Sequence, residues 1–255
     1  MKYLHMLALG ALIVPLFSGC DTLNQVTTGM PQTGTGSTST TNKSSGTITQ
    51  TEAVTGIKQA LSNGLNNSIN ILSAQNGFLG DAAVKILMPK EAQQVEKTLR
   101  SVGMGALCDN FITSLNRAAE SAVKEAAPVF VNALSQMTVT DAFNILLGSQ
   151  QDAATTFFKR TTSATLTTKF SPIVESALGK NNVSTYWTQL TTAYNSLPLG
   201  KEKVQTDLNA YVTQKAIDGL FVKVADEELK IRNNIGNARN SGILDKVFGW
   251  VDGQK

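Results

Sequence analysis

The residues able to do chemistry are few, and they come in short runs. "ADEELKIR" at 225–232 sets Asp226, Glu227 and Glu228 side by side, and paired carboxylates are what glycoside hydrolysis or a divalent cation requires. Consecutive helix positions point in different directions, however, and Glu228 stands four residues before Arg232, the spacing of a plain helical ion pair. The expectation is therefore a solvated helix face. In "NRAAE", Arg117 and Glu120 are i,i+3 neighbours in an alanine-rich setting. That pattern reads as a partly buried ion pair fixing a helix contact, with a ligand-binding role for the pair as the alternative. "GMGALC" at 103–108 holds a G-x-G with neither a third glycine nor a preceding strand, so it carries no argument for a nucleotide. Cys108, between Leu107 and Phe111 in an apolar helical pattern, reads as a core residue.

Histidine limits the chemistry further. The chain has one, His5, inside a leader: Lys2, an apolar run from Leu7 to Phe17, then Ser18 and Gly19 ahead of Cys20. This is the order of a secretory signal peptide over residues 1–19, and the run is short of the roughly 20 apolar residues a spanning helix needs. "FSGC" resembles the lipobox of bacterial lipoproteins, with Phe17 where leucine is usual. The resemblance implies acylation of Cys20 and cleavage just before it. Asp21 resembles an inner-membrane retention signal of enteric bacteria, which leaves the choice of membrane open. A chain starting at Cys20 has no histidine, so Ser-His-Asp and Cys-His sites, a haem proximal histidine and His-containing zinc sites are excluded. One remaining cysteine cannot build a Cys-rich metal site or a redox pair. No cofactor and no metal are expected. The net charge of +3 falls to +2 when Lys2 leaves with the leader, which offers no field for nucleic acid.

Residues 20–50 are dominated by Thr, Ser, Gly, Asn and Gln. They cannot bury enough apolar surface to offset their ordering entropy, and they read as a flexible tether with a reach on the order of 30 Å. Beyond residue 51 the periodicity is helical. Val54, Ile57, Leu61, Leu65, Ile69 and Leu72 share one face, ended by Asn76-Gly77. "GDAAVKILMP" reads as a connector with an extended piece over Val84–Met88, because the residue before Pro89 is pushed out of the helical region. Pro89 suits the first turn of a helix carrying Val95, Leu99 and Val102, which Gly103 ends.

A helix from Leu107 follows, with Pro128 predicted to kink or break it. A short helix capped by Thr138 or Thr140 closes at Gly148. A long threonine-rich helix, predicted to bend near Pro172, precedes a segment with Trp187, Leu190 and Tyr194. Asp207 caps the strongest amphipathic run, Leu208 to about Arg232, and "SGILDKVFGWV" adds a helical turn or two. The fold class is all-α: a single bundle of roughly seven to nine helices over residues 51–255, of ordinary domain size.

In order along the chain, "NGFLGDAAVKILMP", "LNRAAE", "MTVTDAFNILLG", "AATTFFKRTT", "FSPIV", "DLNAYVTQKAIDGLFVKVADEELKIR" and "VFG" resemble an uncharacterised bacterial family of exported helical proteins, domain of unknown function 4197. The resemblance covers most of residues 55–250 and implies an all-helical fold. It brings no activity, substrate or catalytic residue.

Three functional expectations follow. The first is a non-enzymatic lipoprotein of the cell envelope, facing the periplasm and anchored to a membrane at Cys20, whose helical module binds envelope proteins. The second is a carrier whose bundle encloses a lipid or other apolar ligand, with Phe157, Phe158, Trp187, Tyr194, Tyr211 and Phe221 as wall residues or, alternatively, as ordinary core. The third is a hydrolase using carboxylates alone or with a metal.

Overall fold

The computed structural model describes residues 47–197 and 206–254. The leader, Cys20 and most of the expected tether lie outside the described residues. Among the described residues the first helix begins at a capping box: the Thr49 hydroxyl accepts the Glu52 N–H at 3.2 Å, and the Glu52 carboxylate accepts the Thr49 N–H at 2.9 Å. That reciprocal arrangement, worth about 1 kcal/mol, starts α1, Gln50–Ser73. After a connector over 74–89 and a 3-10 turn at Lys90–Ala92 come α2, Gln93–Ser101, and α3, Gly105–Val123. These are followed by α4, Ala126–Gln136; α5, Val139–Leu147; α6, Ala153–Lys180; α7, Val183–Asn195; α8, Leu208–Arg232; and α9, Gly242–Asp252. Among the described residues there are nine α-helices and no strand.

Helix α8 is the hub, packing against α6, α1 and α3, while α6 also meets α3 and α4. Helix α9 lies on α1, and α2 sits between α3 and α7. Aromatic side chains join the layers. Phe130 of α4 meets Phe158 of α6 and Phe221 of α8 edge-on, with centroids 5.5 and 6.3 Å apart. Phe111 of α3 stacks at a tilt on Trp187 of α7. Each fully buried side chain of this size contributes roughly 1.5–3 kcal/mol. No helix among the described residues is long and apolar enough to cross a membrane.

Several boundaries differ from the sequence expectations for physical reasons. The α3–α4 break falls at Lys124–Glu125, ahead of Pro128, which then occupies the first turn of α4; there its missing N–H would have had no helical partner anyway. Thr138, not Thr140, caps α5, through a second capping box with Asp141. Val102 was expected on the core face but is 52% exposed, because α2 has already ended in a Schellman turn. Met104 donates to the Leu99 carbonyl at 2.8 Å and Gly103 to that of Arg100 at 3.2 Å, with Gly103 at φ +84°. The tail forms three turns of helix, α9, rather than one or two. Helix α6 runs through Pro172 without ending. Thr161, Thr162, Thr167 and Thr168 return their hydroxyls to the carbonyls four residues back, which satisfies them inside the helix.

Candidate functional site

The polar face of α3 carries Asn116 and Glu120 one turn apart, both buried, with Arg117 beside them. All three hold the connector. Arg117 and Glu120 form an ion pair, Nη1 to Oε2 2.6 Å, and the second arginine nitrogen donates to Asn76 Oδ1 at 2.7 Å. The other Glu120 oxygen accepts the Phe78 N–H at 3.3 Å. Asn76 adopts the left-handed region, φ 66°, which its short polar side chain tolerates. Gly77 must be glycine, since a Cβ there would lie 2.3 Å from the Ile71 carbonyl oxygen. Both Glu120 oxygens are thus engaged with the chain itself, and they anchor a turn.

Further along the connector, the Asn116 amide accepts the Ile86 N–H at 2.9 Å and donates to the Ile86 carbonyl at 2.8 Å. Val84, Ile86 and Met88 are buried while Lys85 and Leu87 are exposed, the period-two pattern of an extended segment. In such a segment the Lys85 carbonyl and the Leu87 peptide groups face away from Asn116, while the Lys85 N–H closes a turn onto the Asp81 carbonyl at 2.8 Å. They face α8, where the Tyr211 hydroxyl donates to the Leu87 carbonyl at 3.0 Å. Burial and the nearby Glu91 charge raise the Tyr211 pKa, so the phenol stays a donor. One end of this arrangement is fastened by the Lys223–Asp81 ion pair, 2.6 Å; the Lys223 ammonium and the Ala83 N–H hold the Asp81 carboxyl below its ordinary range.

Between the extended segment and α8 lies an open groove of about 470 Å³, with Leu87 and Val222 among its walls and Lys85, Lys90, Lys215, Glu91 and Asp218 around them. Its volume is in the range of ligand sites. Leu87 is 56% exposed and Val222 39%. Among the described residues the Leu87 N–H finds no acceptor, and the Lys85 carbonyl no donor.

The acidic run on α8 is not a solvated face. Glu227 and Glu228 are buried, and only Asp226 of the three is well exposed. Helix α6 has no side-chain cap of its own at Asp152, and Glu228 supplies one from α8: it accepts the N–H groups of Ala154 and Thr155 at 2.9 and 2.8 Å and the Thr155 hydroxyl at 2.8 Å. Arg232 balances the charge at 2.7 Å and donates onward to the Ile145 carbonyl. A carboxylate at a helix N-terminus with an arginine beside it is a well-satisfied anion, with both oxygens engaged by the chain. No group of three metal-ligating side chains occurs among the described residues. Arg239, which the sequence did not single out, closes the C-terminal end of α8 by donating to the Ile231 and Arg232 carbonyls while pairing with Asp252 at 2.6 Å.

The ordered helices coincide with a known sequence family. The family described as "Protein of unknown function (DUF4197)" matches residues 47–249. The chain belongs to this family. No curated protein and no solved structure matches it. The DUF4197 match spans the connector, both walls of the groove and the Glu228 cap. Within it, Cys108 is fully buried and its thiol pKa is raised, chiefly by burial. Of the aromatic residues considered as carrier walls, Phe158, Phe221 and Tyr194 are buried, and Trp187 packs on Phe111. Phe157 and Tyr211 line surface grooves.

Proposed function

We propose that this DUF4197 chain is a lipid-anchored cell-envelope protein, tethered through Cys20, and that its helical domain is a non-enzymatic interaction module meeting its partner in the groove between the connector and α8. The observation that carries the reading is the groove itself: exposed Leu87 and Val222 beside unpaired backbone groups, on a segment clamped from behind by α3. Position supports it too. Gly64 of α1 lies against Glu227 of α8, and Phe78, just past the end of α1, lies against Gly219, so the two helices run antiparallel. The groove therefore sits at the far end of α1, about 36 Å from the Gln50 end where the tether joins. The buried carboxylates and the Arg117–Glu120 pair serve the fold.

The test is made in cells. A photo-crosslinking amino acid at position 87 should join the protein to a defined partner in the membrane fraction, while the same residue at Val131, 63% exposed on α4, should not. Fatty-acid labelling should follow Cys20 and vanish in Cys20→Ser. Equal crosslinking from both positions, or a Cys20 that carries no acyl chain, would overturn the corresponding half of the reading.

A further inference from the structure

We propose that the groove takes an extended, acidic peptide segment of its partner, which pairs with the Leu87 backbone as an added strand; this rests on the groove being the partner face. The argument starts from the direction of the peptide groups. Ile86 spends both its N–H and its carbonyl on Asn116, so the Lys85 carbonyl and both Leu87 peptide groups turn toward α8 and the open groove, the Lys85 N–H being held by the Asp81 carbonyl. Leu87 then offers what an incoming strand uses, an N–H with no acceptor among the described residues and a carbonyl whose second lone pair remains beside the Tyr211 bond. Strand addition draws affinity from such main-chain bonds and selectivity from alternate side chains. Here the alternate position finds the exposed Leu87 and Val222 side chains. A helix laid in the groove would satisfy its own backbone and leave the Leu87 N–H unpaired.

Charge selects among extended segments. Lys85, Lys90 and Lys215 border the groove against Glu91 and Asp218, and none of the three lysines is in an ion pair among the described residues. Asp218 already accepts from Gln214 at 2.9 Å. The balance is positive, and Lys85 on the connector and Lys90 at the start of the 3-10 turn that follows stand one on each side of Leu87. An extended peptide with a β-branched or leucine centre and acidic flanks matches both features. The clamp behind the segment means that the edge is already straight before the peptide arrives, which lowers the ordering cost of binding.

The probe is a phage-displayed library of random nonapeptides selected on the full chain, purified from membranes in detergent, with the best peptide then titrated against the backbone amide signals. The expected result is enrichment of acidic peptides with alternating β-branched centres. The Leu87 amide should shift saturably, and binding should fall at least tenfold when alternate peptide amides are N-methylated. Leu87→Pro, which removes the donor on a segment already extended, should lose binding at least tenfold with an unchanged melting temperature, and Leu87→Ala should lose only a few fold. Lys85→Glu with Lys90→Glu should reverse the charge preference.

Failure to enrich any peptide, enrichment of amphipathic helical or basic sequences, or equal binding by Leu87→Pro overturns the inference. Doubling of the mass in solution that Leu87→Pro abolishes would assign the edge to a second copy, and a Leu87 shift produced by phosphatidylglycerol vesicles alone would assign it to lipid; both also overturn it. A position-87 crosslink in cells without peptide selection sinks this inference and leaves the interaction module standing. Peptide selection without a crosslink removes the partner on which the inference rests and overturns both.

Discussion

The Asn116 side chain faces the Ile86 peptide with both ends of its amide, accepting at 2.9 Å and donating at 2.8 Å, while the same nitrogen also reaches the Ile112 carbonyl one turn back at 2.7 Å. A single helical residue thus does for the connector what a neighbouring strand would do in a sheet. Both residues are fully buried or nearly so, and water is not at hand to replace either bond.

Asn116→Leu should therefore lower stability by roughly 2–6 kcal/mol, since it leaves the Ile86 N–H and carbonyl unsatisfied at about 1–3 kcal/mol each. Urea titration should show a lower midpoint, and the Ile86 amide should exchange faster than the amides of α8. An unchanged midpoint would mean the connector is held by its apolar side chains alone.

Glu228→Gln should cost about 3–5 kcal/mol, because it keeps the shape of the α6 cap but leaves Arg232 buried without a counter-charge. Glu227→Gln is the control. Its partner Lys230 is 44% exposed, and loss of such a pair should cost about 1 kcal/mol or less. Chemical denaturation of both variants side by side reads the difference, and equal losses would contradict the capping role.

Two glycines inside helices should respond oppositely to alanine. At Gly219 a Cβ would lie 2.7 Å from the Phe78 ring and 3.3 Å from Val84, so Gly219→Ala should destabilise despite the better helix propensity. At Gly249 nothing stands within 4 Å, and Gly249→Ala should stabilise by up to about 1 kcal/mol. Thermal melts decide the two signs.

Acid should loosen the meeting of α1 and α9. Lys246, first, and then the Thr49 N–H and hydroxyl lower the Glu52 pKa from 4.5 to about 2. A carboxyl depressed on folding contributes stability that is fully present above its unfolded value and is lost as pH falls through the folded one. The contribution should fade between about pH 4.5 and 2, and a Glu52→Gln variant should lack that part of the slope when stability is measured across this window.

The helices were legible because their signals are local: the i, i+3, i+4 apolar face of α1, the Asp207 cap of α8 and the glycine after α2 all act within a few residues. The period-two run over Val84–Met88 was readable for the same reason. The roles of Glu228 and Asn116 were not. Glu228 accepts from a helix N–H 74 residues earlier, and Asn116 serves a peptide 30 residues back; a polar match at such distance leaves no periodic trace. Glu228 and Arg232 at i,i+4 looked like a surface pair because spacing alone says nothing of what packs above it. Val102 kept the apolar spacing of α2 and misled because the Schellman turn at Gly103 had already turned the chain away.

Outside the helices, the backbone-to-backbone hydrogen bonds among the described residues join positions no more than five apart. Tertiary order is thus carried by side chains, and this sets a sequence of events in time. Helices can form from local signals, whereas the segment around Ile86 has nothing to bind until α3 presents Asn116 and Glu120 and α8 presents Tyr211 and Lys223. It should be the last piece to settle, so in pulse-labelled refolding the Ile86 amide should gain protection after those of α3 and α8; protection of Ile86 first would reverse that order.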